Sequence, residues 1–124
     1  KFVLHKERTA FFRILDTVVM LDHGDSDYVK AKVPKNAIPR EAYIARRLLN
    51  ENELCKDAKT RIMIQGDMHH FEHNEYGKVE FFMFGTAVTG DRYADHNAFD
   101  SRPRQNCLII DETGVKEVLH YYFD

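Results

Sequence analysis

The chain is poor in the residues that staple or punctuate small proteins: among its 124 residues there are two cysteines, three prolines, six glycines and no tryptophan. Cys55 and Cys107 stand alone, without C-x-x-C spacing. That argues against a zinc ribbon or a redox pair and leaves two free thiols, as expected in a reducing compartment. No apolar run approaches the length of a membrane span, and Lys1-Phe2-Val3-Leu4 is too short for the apolar core of a signal peptide. A cytoplasmic protein that does not engage the membrane is the expectation. Charge of one sign is also missing: the net charge is -2, with acids and bases interspersed, so no basic field marks a nucleic-acid partner. There is no Gly-rich phosphate loop, no dinucleotide fingerprint and no G-x-S-x-G around Ser26 or Ser101. No cofactor is implied. A chain of this length buries enough surface to fold as one domain, 1–124, without metals or disulfides.

What the chain does have is apolar periodicity. From residue 4 to 22, Leu4, Phe11, Phe12, Leu15, Val18, Val19 and Leu21 recur at spacings of three and four, which predicts an amphipathic helix ending at Gly24. A short alternating piece, residues 28–33, reads as a strand closed by Pro34. Pro39 then opens a second expected helix, with Ala42, Leu48, Leu49 and Leu54 on its apolar stripe. After residue 59 the period becomes two. Strands are expected over 60–73, 78–89, 104–111 and 115–124, with Gly-bearing turns N-E-Y-G and D-E-T-G marking hairpins. Helices followed by an antiparallel meander predict an α+β fold: two to three N-terminal helices packed on a strongly curved, mostly antiparallel sheet.

Three stretches in this order carry a family resemblance. The ending, an apolar strand, an acidic-Gly turn and a strand finishing Tyr122-Phe123-Asp124, resembles the closing hairpin of SnoaL-like proteins in the nuclear transport factor 2-like superfamily. H-G-D-S-D-Y (23–28) is similar to the family's Gly-Asp turn, and I-P-R-E-A-Y-I-A-R-R-L (38–48) to its Gly-Arg-Glu-Ala-Ile helix start, with Pro39 in place of the Gly. The resemblance implies a cone with an apolar interior, often dimeric through the outer face of the sheet. It also implies that Tyr121, two positions before Phe123, faces the cavity. The chain departs from two enzymatic branches. The epoxide-hydrolase Asp is replaced by Tyr121, and the first helix lacks the ketosteroid-isomerase Tyr.

Several candidate sites follow. On the last strand Leu119, Tyr121 and Phe123 share one face and His120 and Tyr122 the other. With Phe82, Phe84 and Tyr93 the first set would line a ligand pocket. Tyr121 would donate a hydrogen bond to a developing enolate, and Asp16, Asp27, His69 or Asp95 would serve as base. In M-H-H-F-E-H, His70 and Glu72 share a face ~7 Å apart, within reach of one metal ion, but no third ligand is evident and no metal is assigned. The doubly apolar run Phe81-Phe82-Met83-Phe84 suggests a homodimer through the sheet, and the segment 91–104 a lid anchored by Tyr93 and Phe99. Two functions stay open. One is a pocket protein for a small apolar carbonyl compound, acting as isomerase, cyclase or dehydratase by proton transfer. The other is a non-catalytic dimeric interaction module.

Overall fold

The computed structural model describes residues 9–23, 53–66, 70–87 and 102–123. Its first two strands, β1 (Thr9–Ile14) and β2 (Thr17–Asp22), form an antiparallel hairpin turned by Leu15 and Asp16, with Leu15 at φ 53°. Val18, Val19 and Met20 are all buried, so β2 carries apolar side chains on both faces, as a strand covered on both sides must. This corrects the helix expected over 4–22. In its described part the same apolar residues alternate across a sheet, and Leu15 is exposed in the turn.

A 3-10 turn, Glu53–Cys55, leads into β3 (Thr60–Gln65), which pairs parallel with β2. β4 (Glu72–Tyr76) and β5 (Val79–Met83) make a tight hairpin. Its central residues Gly77 and Lys78 have φ of 57° and 65°, the left-handed pair that matches strand twist. β5 lies parallel to β3, giving the order β1-β2-β3-β5-β4. β6 (Arg104–Asp111) and β7 (Gly114–Tyr122) form a separate antiparallel hairpin, with a bulge at Ile109/Ile110. Its strands and its D-E-T-G turn lie where the alternation predicts.

The five-stranded sheet is apolar on both faces. On one, Val18, Met20, Met63, Val79 and Phe81 pack with Cys55 and Ala58. On the other, Val19, Ile62 and Phe82 pack against Leu108, Ile110, Val115 and Val118 of the β6–β7 hairpin, which is therefore laid across this face. Burying each large side chain here stabilises the fold by ~1.5–3 kcal/mol. Contacts at both ends fix the hairpin's direction. Gly114 touches Thr60, where β3 begins, while beyond β5 the Gly85 N–H donates to Asn106 Oδ1 (3.0 Å) and the Arg104 N–H to the Thr86 carbonyl (2.9 Å).

The cone is thus overturned. Among the described residues strands account for 65% and no helix reaches seven residues. Two of the sheet pairings are parallel rather than parts of a meander. The strand expected over 60–73 is two strands, β3 and β4, that are not neighbours. The expected strand 28–33 and the second helix lie outside the described residues apart from the Glu53–Cys55 turn, as does the 91–104 segment except for Arg102, Pro103 and Arg104. Among the described residues no helix is long and apolar enough to cross a membrane.

Candidate functional site

β2, β3 and β5 run in one direction, so their carboxyl ends lie side by side, with Asp22 in register with Gln65 and Gln65 with Met83. Ligands of sheets built from parallel strands bind outside this end. Thr9, opposite Asp22 on β1, donates its hydroxyl to Asp22 Oδ2. Asp22 is only 3% exposed, and the neighbouring Gln65 Oε1 is buried without a hydrogen-bond partner. An unanswered buried acceptor is costly, by ~1–3 kcal/mol, which makes this row unusual. The chain leaves β2 through His23, which is exposed and whose carbonyl accepts the Gly66 N–H at 3.1 Å. That bond ties the exits of β2 and β3 together. Beyond Gly66 the sequence continues Asp67-Met68-His69, outside the described residues.

A second group stands beyond the end of β5, on the face of the β6–β7 hairpin that turns toward the sheet. Asn106 is buried and bridges two elements: its Oδ1 accepts from Gly85, and its Nδ2 lies 2.7 Å from His120 Nδ1. The amide nitrogen can only donate, so Nδ1 of His120 accepts and a neutral ring carries its proton on Nε2. The His120 ring meets Phe71 edge-on at 4.6 Å and lies nearly parallel to Tyr122 at 6.0 Å. The Arg102 guanidinium sits 3.8 Å over the Tyr122 ring, and that of Arg104 lies 5.1 Å from Tyr122 and 5.9 Å from Phe71. The Arg104 stem runs so close to Gly85 that a Cβ there would stand 2.8 Å from Arg104 Cγ. Glycine is what lets it pass.

Those of the residues proposed from sequence that are described do not come together. Tyr121 and Phe123 are exposed. With Leu119, paired opposite Cys107, they occupy the outer face of the hairpin, whereas Phe82 and Phe84 pack on its inner side. His120, expected outside, instead meets Phe71, while Tyr122 on the same face of the strand is exposed. Asp16 sits in the β1–β2 turn at the opposite end of the sheet, bound to Arg13 at 3.1 Å and Lys59 at 3.5 Å. Asp27, His69, Tyr93 and Asp95 lie outside the described residues. His70 Nε2 is 3.0 Å from Glu72 Oε1, and among the described residues no group of three His, Cys, Asp or Glu could hold a metal ion. Sequence reading missed His23, Asn106, Arg102 and Arg104. The signal for His23 was present: an apolar β-branched run ending D-H-G, paired with a second ending G-D-M-H.

Among the described residues two ionisable groups are shifted. Burial pushes the Cys55 thiol up, against the pull of Arg61, whose Nη2 donates to the Cys55 carbonyl at 3.1 Å. Hydrogen bonds from Thr113 hold the Asp111 carboxyl below the usual carboxylate range.

No family model and no curated protein matches the chain. Solved structures do. The chain is similar to a single-substitution variant of Vps29 from Entamoeba histolytica, with a TM-score of 0.56, 20% identity and coverage of 98% of this chain and 64% of that one. It is likewise similar to wild-type Vps29 from the same organism complexed with Zn2+, with a TM-score of 0.56 and 21% identity over 91% of this chain and 60% of that one. A double variant gives 0.53 and 20%, over 92% and 61% of the two chains. The chain thus spans less than two thirds of the length of these structures. At this identity the likeness establishes the fold alone: that of the Vps29 structures, with a mixed sheet. It overturns the SnoaL-like and nuclear transport factor 2-like assignment, and with it the proton-transfer pocket enzyme and the interaction module expected from that family.

Proposed function

We propose that this chain is part of a metal-dependent phosphoester hydrolase whose divalent-ion site lies at the carboxyl ends of β2 and β3. The observation that carries this reading is the coupling of the two strand exits: His23 follows β2, Gly66 follows β3, and one hydrogen bond of 3.1 Å joins them. Both exits open onto sequence rich in nitrogen and oxygen donors, H-G-D-S-D after β2 and G-D-M-H-H after β3. The fold is shared with a Vps29 structure that holds Zn2+.

The residues fit such an ion chemically. Imidazole and carboxylate donors from His23, Asp67 and His69 make the mixed set that zinc accepts. Asp22, buried and bonded to Thr9, and Gln65, whose Oε1 lacks a partner, supply polar support behind the strand ends. A bound divalent ion supplies Lewis-acid polarisation of a phosphoryl oxygen and an activated water. The chain's own part is to bring the exits of two adjacent parallel strands, at His23 and Gly66, side by side.

The test is zinc titration calorimetry on metal-stripped protein, with hydrolysis of bis-p-nitrophenyl phosphate as the activity readout. His23→Ala is expected to weaken zinc binding by ~10–100-fold. Zinc affinity equal to wild type in His23→Ala and in His69→Ala would sink the reading.

A further inference from the structure

The side-chain bridge from Gly85 through Asn106 to His120 is complete in one protonation state only. The Gly85 backbone N–H can only donate, so the Asn106 atom 3.0 Å from it is the amide oxygen. That fixes the amide: its nitrogen faces His120 Nδ1 at 2.7 Å, and Nδ1 must accept. A neutral ring with its proton on Nε2 satisfies both contacts at once. A second proton goes on Nδ1, where two donors then face each other. Turning the amide over gives the Nδ1–H an acceptor but sets the NH2 group against the Gly85 N–H. No orientation of Asn106 serves both neighbours of a charged ring.

We propose that Asn106 and His120 form a pH-sensitive latch, which ties the β6–β7 hairpin to the exit of β5 while the ring is neutral and releases Gly85 when His120 becomes an imidazolium. Asn106 is buried, so a polar group there that loses its partner is not simply handed to water. The Phe71 ring meets His120 edge-on at 4.6 Å and holds it in place, which leaves the amide as the part that turns. Among the described residues no carboxylate pairs with His120, whereas His70 and His73 face Glu72 and Glu80. The other charged and titratable groups on this side are Arg104 and Tyr122 of the hairpin, Arg102 just before β6, and His73, Glu75 and Glu80 of β4 and β5. The arginines offer no acceptor to a protonated Nδ1. Release is local: the Arg104 N–H stays bonded to the Thr86 carbonyl at 2.9 Å, and Leu108, Ile110, Val115 and Val118 stay packed on the sheet. The hairpin therefore loosens only at the end where β2, β3 and β5 finish. The latch does not depend on the phosphoester reading.

The experiment is a pH titration of the nitrogen-15-labelled protein followed by NMR, from neutral pH down to the acid limit of the folded state. At neutral pH the His120 ring nitrogens are expected to show the Nε2–H tautomer. As the ring takes up its second proton, the Gly85 amide proton should shift upfield. Its protection from exchange, corrected for the intrinsic rate, should fall about fivefold to tenfold. Both changes should share the midpoint of the His120 ring, while the Arg104 amide keeps its protection. His120→Leu, which removes the titrating group, should leave the Gly85 resonance flat over the same range. An Nδ1–H tautomer at neutral pH, a Gly85 amide that keeps its shift and protection while His120 titrates, or a His120 ring that takes up no second proton before the protein unfolds, overturns the latch. So does a Gly85 transition that persists in folded His120→Leu. The wild-type titration decides the matter even where that variant fails to fold.

Discussion

Gly114 and Thr60 are in contact across the two sheets: a Cβ on Gly114 would stand 2.8 Å from Thr60 Oγ1, and the glycine's φ is 123°. The turn of the β6–β7 hairpin is therefore seated on the first residue of β3. We expect Gly114→Ala to destabilise the protein by ~1–3 kcal/mol, through backbone strain and the clash together. Adding Thr60→Ala should recover the clash and leave the strain, a separation that a double-mutant cycle in urea reads directly. Full recovery, or no loss in the single variant, would mean that the turn is not seated there.

Phe82 and Phe123 make opposite claims on stability. Phe82 is fully buried between the sheet and the hairpin, and the ring of His73, its partner in register on β4, stacks on it at 4.1 Å. Phe123 is exposed. Phe82→Ala should lower stability by ~3–5 kcal/mol, Phe82→Leu by much less, and Phe123→Ala by under ~0.5 kcal/mol. Chemical denaturation of the three variants checks the ordering. A Phe123→Ala loss approaching that of Phe82→Ala would contradict the assigned faces.

These two residues also show where the sequence misleads. A pocket containing both Phe82 and Phe123 requires the odd residues of the last strand to face inward. Instead, in a hairpin with a β-bulge at Ile109/Ile110, Val118 packs against the sheet and His120 meets Phe71. Alternation separates the two faces of a strand but does not say which is covered. The error over 4–22 has a different cause. A strand buried on both faces has a continuous apolar run, and Val18-Val19-Met20 preceded by Phe11, Phe12 and Leu15 fits a helical stripe equally well. The break at Leu15-Asp16 is made by a leucine at positive φ, a conformation that sequence rarely announces. At Gly77 and Gly114 glycine did announce it, and there the hairpins are where the sequence put them. The strand-end residues were legible only as parallel-strand exits, so they could not be recognised while the sheet was read as a meander.

The cysteines offer a chemical check on the layers. Cys55 is 1% exposed and packs with Val18, Met63 and Phe81, whereas Cys107 is exposed on the outer face of β6. Only a thiolate alkylates readily, and burial pushes the Cys55 thiol up. Intact mass after iodoacetamide at mildly alkaline pH should show one adduct, at Cys107, with the second appearing only on unfolding. The sign of the linkage follows. With its folded pKa raised, Cys55 contributes stability that is fully present below the thiol's unfolded pKa and is lost as pH rises through the folded value. Cys55→Ala should therefore flatten the alkaline fall in stability, and an unchanged slope would show the thiol to be uninvolved.

At acid pH the turn of the last hairpin carries a small opposite effect. The Thr113 backbone N–H (2.8 Å) and hydroxyl (2.6 Å) both donate to Asp111 Oδ1, and these bonds favour the carboxylate. Because its folded pKa is lowered, Asp111 contributes stability that is present above its unfolded pKa and is lost as pH falls through the folded one. The carboxyl is open to solvent, so the direction rather than the size of the effect is the expectation. Removing the hydroxyl in Thr113→Ala should raise the Asp111 pKa part of the way to the usual carboxylate value, since the backbone N–H remains. Side-chain carbon NMR titration of both proteins reads this directly. If Thr113→Ala leaves the Asp111 pKa where it was, the hydroxyl is not bonded to the carboxylate in solution, and the D-E-T-G turn is held by its glycine and backbone alone.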